Sequence, residues 1–210
     1  MNYTTEQEAF WAGKFGSDYI ERNKGKKLLA SNLNFFTKAL NQSYKLDSCI
    51  EIGANIGMNL KALNLLFPHL ELEGIEINKD AHEQLKEVVG EANAHHTSIF
   101  DYKSSKQFDL SLIKGVLIHI NPDKLNFVYE QLYKLSKKFI LIAEYYNPSP
   151  VALTYRGHND RLFKRDFAGE FLDKYDDVRI VDYGFAYHRD PSFPQDDITW
   201  FLLKKNSYGN

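Results

Sequence analysis

Several short stretches carry residue types that could do chemistry. Glu51-Ile52-Gly53-Ala54-Asn55-Ile56-Gly57 closes a short apolar run with glycines at 53 and 57. Such glycines let a backbone turn sharply and approach a ligand where a Cβ would clash. A dinucleotide fingerprint needs Gly-x-Gly-x-x-Gly. Asn55 stands where its second glycine belongs, so the turn suits a nucleoside without a pyrophosphate. About 20 residues further on, Glu76 closes Leu72-Glu73-Gly74-Ile75-Glu76 and is followed by Ile77. A carboxylate there can accept hydrogen bonds from both ribose hydroxyls and repels a 2′-phosphate; otherwise it is a solvated strand end. Phe100-Asp101 offers an aromatic or backbone contact and an acceptor for an exocyclic amine such as adenine N6. Lys114-Gly115 again permits close backbone approach. His119 follows Val116-Leu117-Ile118; with an ordinary pKa near 6.5 it is a candidate base, or else a core histidine.

These positions matter because of what must carry them. Ser48–Ile52, Leu70–Ile77, His95–Phe100, Phe108–Lys114 and Phe139–Glu144 read as strands. Helices at Met58–Phe67, Asp80–Glu91 and Pro122–Lys137 alternate with them. That rhythm predicts βαβ units and a mostly parallel sheet, an α/β Rossmann-like fold. Ligands of such sheets bind outside the carboxyl ends of the strands, where all the stretches above fall. Glu144 ends one strand there and is a second candidate base. Ahead of the sheet, Glu6–Ile20 is aromatic-rich and Lys27–Leu40 helical, so residues 1–45 are expected as a helical cap or lid and 46–210 as the ligand-binding domain. After Glu144 the pattern breaks until a helix expected at Lys164–Tyr175. Val178–Tyr187 and Thr199–Lys204 are then expected as an antiparallel pair at the sheet edge.

Composition narrows the class. The chain has 26 Lys and Arg against 28 Asp and Glu, a net charge of -2, which argues against a general nucleic-acid binder. Cys49 is the only cysteine, so no internal disulfide or thiolate metal cluster is expected. No metal site is expected either, because adjacent His95 and His96 point to opposite faces of a strand. No run approaches 18 apolar residues, so a cytoplasmic protein without a membrane partner is expected. Against this balance, Tyr155-Arg156-Gly157-His158-Asn159-Asp160-Arg161-Leu162-Phe163-Lys164-Arg165 gathers cations and aromatics. Guanidinium groups suit carboxylates and phosphates, so Tyr155, Arg156, His158 and Arg161 are candidate acceptor-binding residues. Lys164 and Arg165 read better as solvated helix-start charges.

Taken together, the glycine turn, Glu76, Phe100-Asp101 and Val116-Leu117-Ile118-His119-Ile120 resemble the class I S-adenosylmethionine-dependent methyltransferases. The run Glu6-Gln7-Glu8-Ala9-Phe10-Trp11-Ala12-Gly13-Lys14-Phe15-Gly16-Ser17-Asp18-Tyr19-Ile20-Glu21-Arg22-Asn23 is more particular. It resembles the pseudaminic acid biosynthesis-associated methylases, linked to nonulosonic sugars of bacterial surface glycans. The resemblance implies a seven-stranded sheet with a reversed C-terminal hairpin and S-adenosyl-L-methionine as cofactor. By position it sets Gly53, Ala54, Asn55 and Gly57 against methionine and ribose, Glu51 near the amino group, Glu76 and Ile77 at the ribose, Phe100 and Asp101 at adenine, and Lys114 and Gly115 near the methionine end. It implies a small-molecule acceptor, an acidic or CMP-linked sugar. A nicotinamide oxidoreductase is disfavoured by Asn55; a non-catalytic binding protein of the same fold is the other alternative.

Overall fold

The computed structural model describes residues 3–206, apart from the side chains of Asn159 and Asp160. The outermost residues of the expected cap and of the expected ligand-binding domain therefore lie outside the described part. The chain opens with helices α1 (Glu6–Ala12), α2 (Lys14–Tyr19) and α3 (Lys26–Ala39). Strand β1 (Ser48–Ile52), helix α4 (Met58–Leu66), β2 (Glu71–Glu76), helix α5 (Lys79–Val89) and β3 (Ala94–His96) follow. Then come β4 (Phe108–Lys114), α6 (Leu125–Leu135), β5 (Ser136–Glu144), β6 (Val151–Tyr155), β7 (His158–Lys164), α7 (Phe167–Lys174), β8 (Val178–Ala186) and β9 (Ile198–Lys205).

The main sheet has seven strands in the order β3-β2-β1-β4-β5-β9-β8. The first five run parallel, and β9 lies antiparallel between β5 and β8. Along β5 the period of two divides the side chains cleanly. Phe139, Leu141 and Ala143 join one core layer with Phe36, Leu60, Leu63 and Leu85 of α3, α4 and α5. Ile140 and Ile142 join the opposite layer with Val128 and Leu132 of α6 and Phe171 of α7. Both faces of the sheet are covered, which explains why the strands read as nearly continuous apolar runs. Helix α3, which lies within residues 1–45, thus contributes to the core.

Two expectations fail locally. The strand expected at His95–Phe100 ends at His96, because Ser98 C=O accepts from Asp101 N–H and Tyr102 N–H and turns the chain. The stretch before Lys164 is not irregular: β6 and β7 form a separate antiparallel hairpin. Its turn is Arg156-Gly157, both in the left-handed region at φ 51° and 82°, the geometry a two-residue hairpin requires. Among the described residues no helix is long and apolar enough to cross a membrane.

Candidate active site

At the carboxyl ends of the parallel strands a cleft of about 230 Å³ opens between the sheet and α1–α2. Its floor is the turn after β1. Gly53 sits at φ 71°, and a Cβ there would stand 2.5 Å from Val116 Cγ2, so the position is closed to side chains. Gly53 N–H and Ala54 N–H both donate to Ile75 C=O at 2.9 Å, which ties the turn to β2. Asn55 adopts φ 49°, a region that asparagine tolerates better than most residues. Gly57 opens α4 in the left-handed region.

Glu76 is the best-organised acceptor on this floor. It is 7% exposed and lines the cleft. Asn55 N–H donates to its Oε2 and Asn78 N–H to its Oε1, each at 2.7 Å. Burial raises its pKa, and the backbone N–H groups of Asn78, Asn55 and Ile77 offset part of the rise. A carboxylate offers about four acceptor positions, so capacity remains for a ligand. Ile77, Ser98, Ile99 and Phe100 continue the wall beside it. Asp101 is exposed and does not line the cleft, so its expected place at an exocyclic amine is not where the chain puts it.

Glu51 lies under the floor and not in the cleft. It is fully buried, its Oε1 accepts from Asn59 Nδ2 at 2.6 Å, and its Oε2 has no partner. Burial lifts its pKa to about 8, against the pull of Asn59 and Lys114. A carboxyl held above its ordinary value of 4.5 contributes stability that is full below 4.5 and lost as pH rises through 8. Glu144, raised by burial to about 7, acts in the same direction, and His119, lowered to about 4, in the opposite one. Between pH 7 and 8 Glu51 sheds much of its proton and Glu144 completes its titration, both in the destabilising direction. Wild type is expected to lose denaturant resistance over that interval, and Glu51→Gln to lose markedly less. Equal urea midpoints for wild type at the two pH values would contradict this.

The loop after β4 holds Lys114, Gly115 and His119, all of which line the cleft. Glu144 does not: its carboxylate accepts from Val116 N–H and Leu117 N–H at 2.9 Å and from Ile118 N–H at 3.4 Å. The expected second base is therefore corrected to a residue that shapes the loop carrying His119. His119 itself is 8% exposed, and its Nδ1–H donates to Arg161 C=O at 2.6 Å. A carbonyl only accepts, so Nδ1 carries the proton and Nε2 keeps a lone pair. The ring lies 4.5 Å from Trp11 and 5.1 Å from Tyr155, centroid to centroid.

Of the four residues expected at the acceptor, only Tyr155 lines the cleft. Arg156 and His158 are exposed on the hairpin, and the Arg161 guanidinium meets Glu6 at 3.1 Å. The hairpin instead brings a backbone carbonyl to His119. Several lining residues were not singled out beforehand. Asp196 precedes β9, and because β9 is antiparallel its leading loop reaches the same end of the sheet as Glu144. Tyr145 follows β5 directly, and Trp11 and Tyr19 come from the N-terminal helices.

Asn78 fastens those helices. Its Oδ1 caps α5 by accepting from Asp80 N–H and Ala81 N–H at 3.1 Å. Its Nδ2 donates to Trp11 C=O and Gly13 C=O at 3.2 Å and to Ala12 C=O at 3.3 Å. Glu8 adds a bond to Ser98 Oγ. Asn78→Asp keeps the cap, a contribution of about 1 kcal/mol, and sets a carboxylate against three carbonyls. Hydrogen exchange should then accelerate over residues 6–19 and not in the sheet. Unchanged protection of residues 6–19 would show that Asn78 does not hold them.

No protein-family model matches the chain, and no curated sequence is similar to it. Solved structures share its fold. 1,6-Didemethyltoxoflavin-N1-methyltransferase of Burkholderia thailandensis, with bound 1,6-didemethyltoxoflavin and S-adenosylhomocysteine, superposes with a TM-score of 0.72 at 13% identity, over 99% of this chain and 92% of that one. Magnesium protoporphyrin IX methyltransferase of Synechocystis PCC 6803, with bound S-adenosylmethionine, gives 0.63 at 12% identity over 98% and 100%. An S-adenosylmethionine-dependent methyltransferase of Clostridium acetobutylicum gives 0.61 at 10% identity over 92% and 98%. The fold is the α/β Rossmann-like fold of class I methyltransferases, with the β6–β7 hairpin added.

Proposed function

We propose that the chain is an S-adenosylmethionine-dependent methyltransferase acting on a small molecule. The observation that carries this reading is Glu76: a buried carboxylate fixed by two loop amides, with acceptor capacity left beside a glycine turn. The residues present fit the cofactor. Glu76 would hold the ribose hydroxyls, with Ile77, Ile99 and Phe100 flanking adenine. The turn from Gly53 through Ala54 and Asn55 to Gly57 would take the methionine chain. A Cβ built on Gly115 meets nothing within 4 Å, so that side of the loop is open for it. Lys114 would face its carboxylate. When bound, the cofactor supplies a methyl group on a positively charged sulfur.

The chain's own task is then to hold a nucleophile in line and to exclude water, where large effective molarities arise. His119 would accept a hydrogen bond or a proton at Nε2. Helices α1 and α2 would serve as the cap. Quenching of Trp11 fluorescence on cofactor addition would support that role, and unchanged emission would leave them as fixed packing.

The narrower acceptor, a nonulosonic sugar or its CMP derivative, is supported by the N-terminal run of the sequence. Its acidic groups would have to meet Lys114, since Arg156 and Arg161 lie outside the cleft. Incubation with methyl-labelled cofactor and free or CMP-linked nonulosonic acids, read by mass spectrometry, tests it. A gain of one methyl on the sugar would support it; no gain on any of them would remove the sugar and leave cofactor binding standing.

A further inference from the structure

We propose that the acceptor presents an amine, methylated on nitrogen, and that Tyr19, Tyr145, Tyr155 and Asp196 form the subsite that receives it. This rests on the methyltransferase reading above. The four side chains come from separate elements: the end of α2, the residue after β5, the end of β6 and the loop into β9. All four line the cleft that Glu76 and His119 also line. Tyr155 borders the His119 ring at 5.1 Å, so this wall adjoins His119.

The wall's chemistry selects for a cation. Burial raises the pKa of all three phenols, and the Asp196 carboxylate pushes each further up. They stay neutral, with the Tyr19 and Tyr155 hydroxyls hydrogen-bonded to each other, beside the exposed Asp196 carboxylate. Aromatic faces attract ammonium groups, and a carboxylate among them adds a hydrogen-bond acceptor. The nearby Arg side chains and Lys164 do not line the cleft. Arg161 meets Glu6, Arg165 meets Glu170, and Arg22, Lys164 and Arg156 lie over the Tyr19, Tyr145 and Tyr155 rings from outside the lining. Lys114 does line it, but Glu51 attracts it more strongly than Asp196 does, and its Nζ sits 5.4 Å from the Phe35 ring.

The bases present agree with this acceptor. A hydroxyl nucleophile must give up a proton in the reaction, and efficient removal needs a base poised near the working pH. The Glu144 carboxylate is taken up by amides of the loop after β4, and burial leaves His119 a weak base. An ammonium received here first gives up a proton to bulk water, so the reactive form grows with pH, and the neutral amine then needs no such base. Its lone pair forms the N–C bond as the C–S bond breaks, the electron pair stays on sulfur, and the proton then leaves nitrogen for water.

The test uses amine and hydroxyl partners of one shape: tyramine against tyrosol, and glucosamine against glucose. Each is titrated calorimetrically into wild-type protein saturated with S-adenosylhomocysteine. At least one amine is expected to bind about tenfold tighter than its hydroxyl partner, with the gap narrowing in high salt. Asp196→Asn should reduce the gap to about threefold or less while leaving S-adenosylhomocysteine affinity within about twofold. Mass spectrometry should place any transferred methyl on nitrogen. Absence of an amine preference in both pairs, or a preference that survives Asp196→Asn, overturns the proposal. If S-adenosylhomocysteine itself does not bind, the methyltransferase reading fails first, and the two failures are told apart.

Discussion

Glu76→Gln is expected to weaken S-adenosylhomocysteine binding by roughly tenfold to a hundredfold while leaving the fold intact. The carboxylate is held by Asn55 N–H and Asn78 N–H at 2.7 Å, one on each oxygen. Its remaining acceptor capacity would meet two ribose hydroxyls. A hydrogen bond to a charged acceptor contributes about 1.5–3 kcal/mol, and each 1.4 kcal/mol is tenfold in affinity. Glutamine keeps one acceptor oxygen and sets an NH₂ donor against a backbone N–H or a ribose hydroxyl. One charge-assisted contact is lost outright, and the rest become neutral and weaker. Because the side chain is 7% exposed, solvent screening does little to soften the loss. The cleft is otherwise unchanged, so thermal unfolding should move far less than affinity does. Calorimetry on the variant decides it: affinity within about twofold of wild type would remove Glu76 from the binding of the sugar.

His119→Ala is expected to lower turnover by roughly tenfold to a hundredfold through loss of an orienting hydrogen bond at Nε2, at or below the bottom of the roughly 10²–10⁴-fold that a general base supplies, with cofactor affinity little changed. The low estimate follows from the ring's surroundings. Burial between Trp11 and Tyr155 lowers its pKa to about 4, and the bond from Nδ1–H to Arg161 C=O only partly offsets that. The imidazole is therefore neutral throughout the physiological range, and no acid limb near pH 6.5 should appear in the rate profile. The rate should instead rise with pH as the amine acceptor loses its proton. A wild-type profile that breaks near 6.5 and flattens in His119→Ala would show the ring working with an ordinary pKa. Equal turnover in the variant would leave it a packing residue.

The parallel sheet was legible because strands buried on both faces need apolar residues in unbroken runs. Ser48–Ile52 and Phe108–Lys114 are observed with the expected limits. The final antiparallel pair was legible for a related reason: two β-type runs flank a loop of Pro, Asp and Ser that cannot continue either. The β6–β7 hairpin was hidden by its composition. Cations dominate Arg156 to Arg165, and the turn places an arginine at positive φ, where asparagine or glycine is the usual signal. In the site, the turn at Gly53 and the acceptor at Glu76 declare themselves through chain spacing, since a strand, a turn and a helix fix that distance. Asp196, Tyr145 and Trp11 do not, because only the folded sheet brings the loop before β9, the end of β5 and α1 to one cleft. Glu144 carried a misleading signal. An acid at a strand end reads as a reactive group, and here three amides of the neighbouring loop take up its oxygens.

Whether a nucleoside sulfonium occupies this cleft can be settled by titrating S-adenosylmethionine and S-adenosylhomocysteine into the unmodified chain in a calorimeter. Saturable heat with one molecule bound per chain is predicted for both ligands. A flat trace for both, from protein whose cooperative unfolding proves it folded, would contradict the assignment.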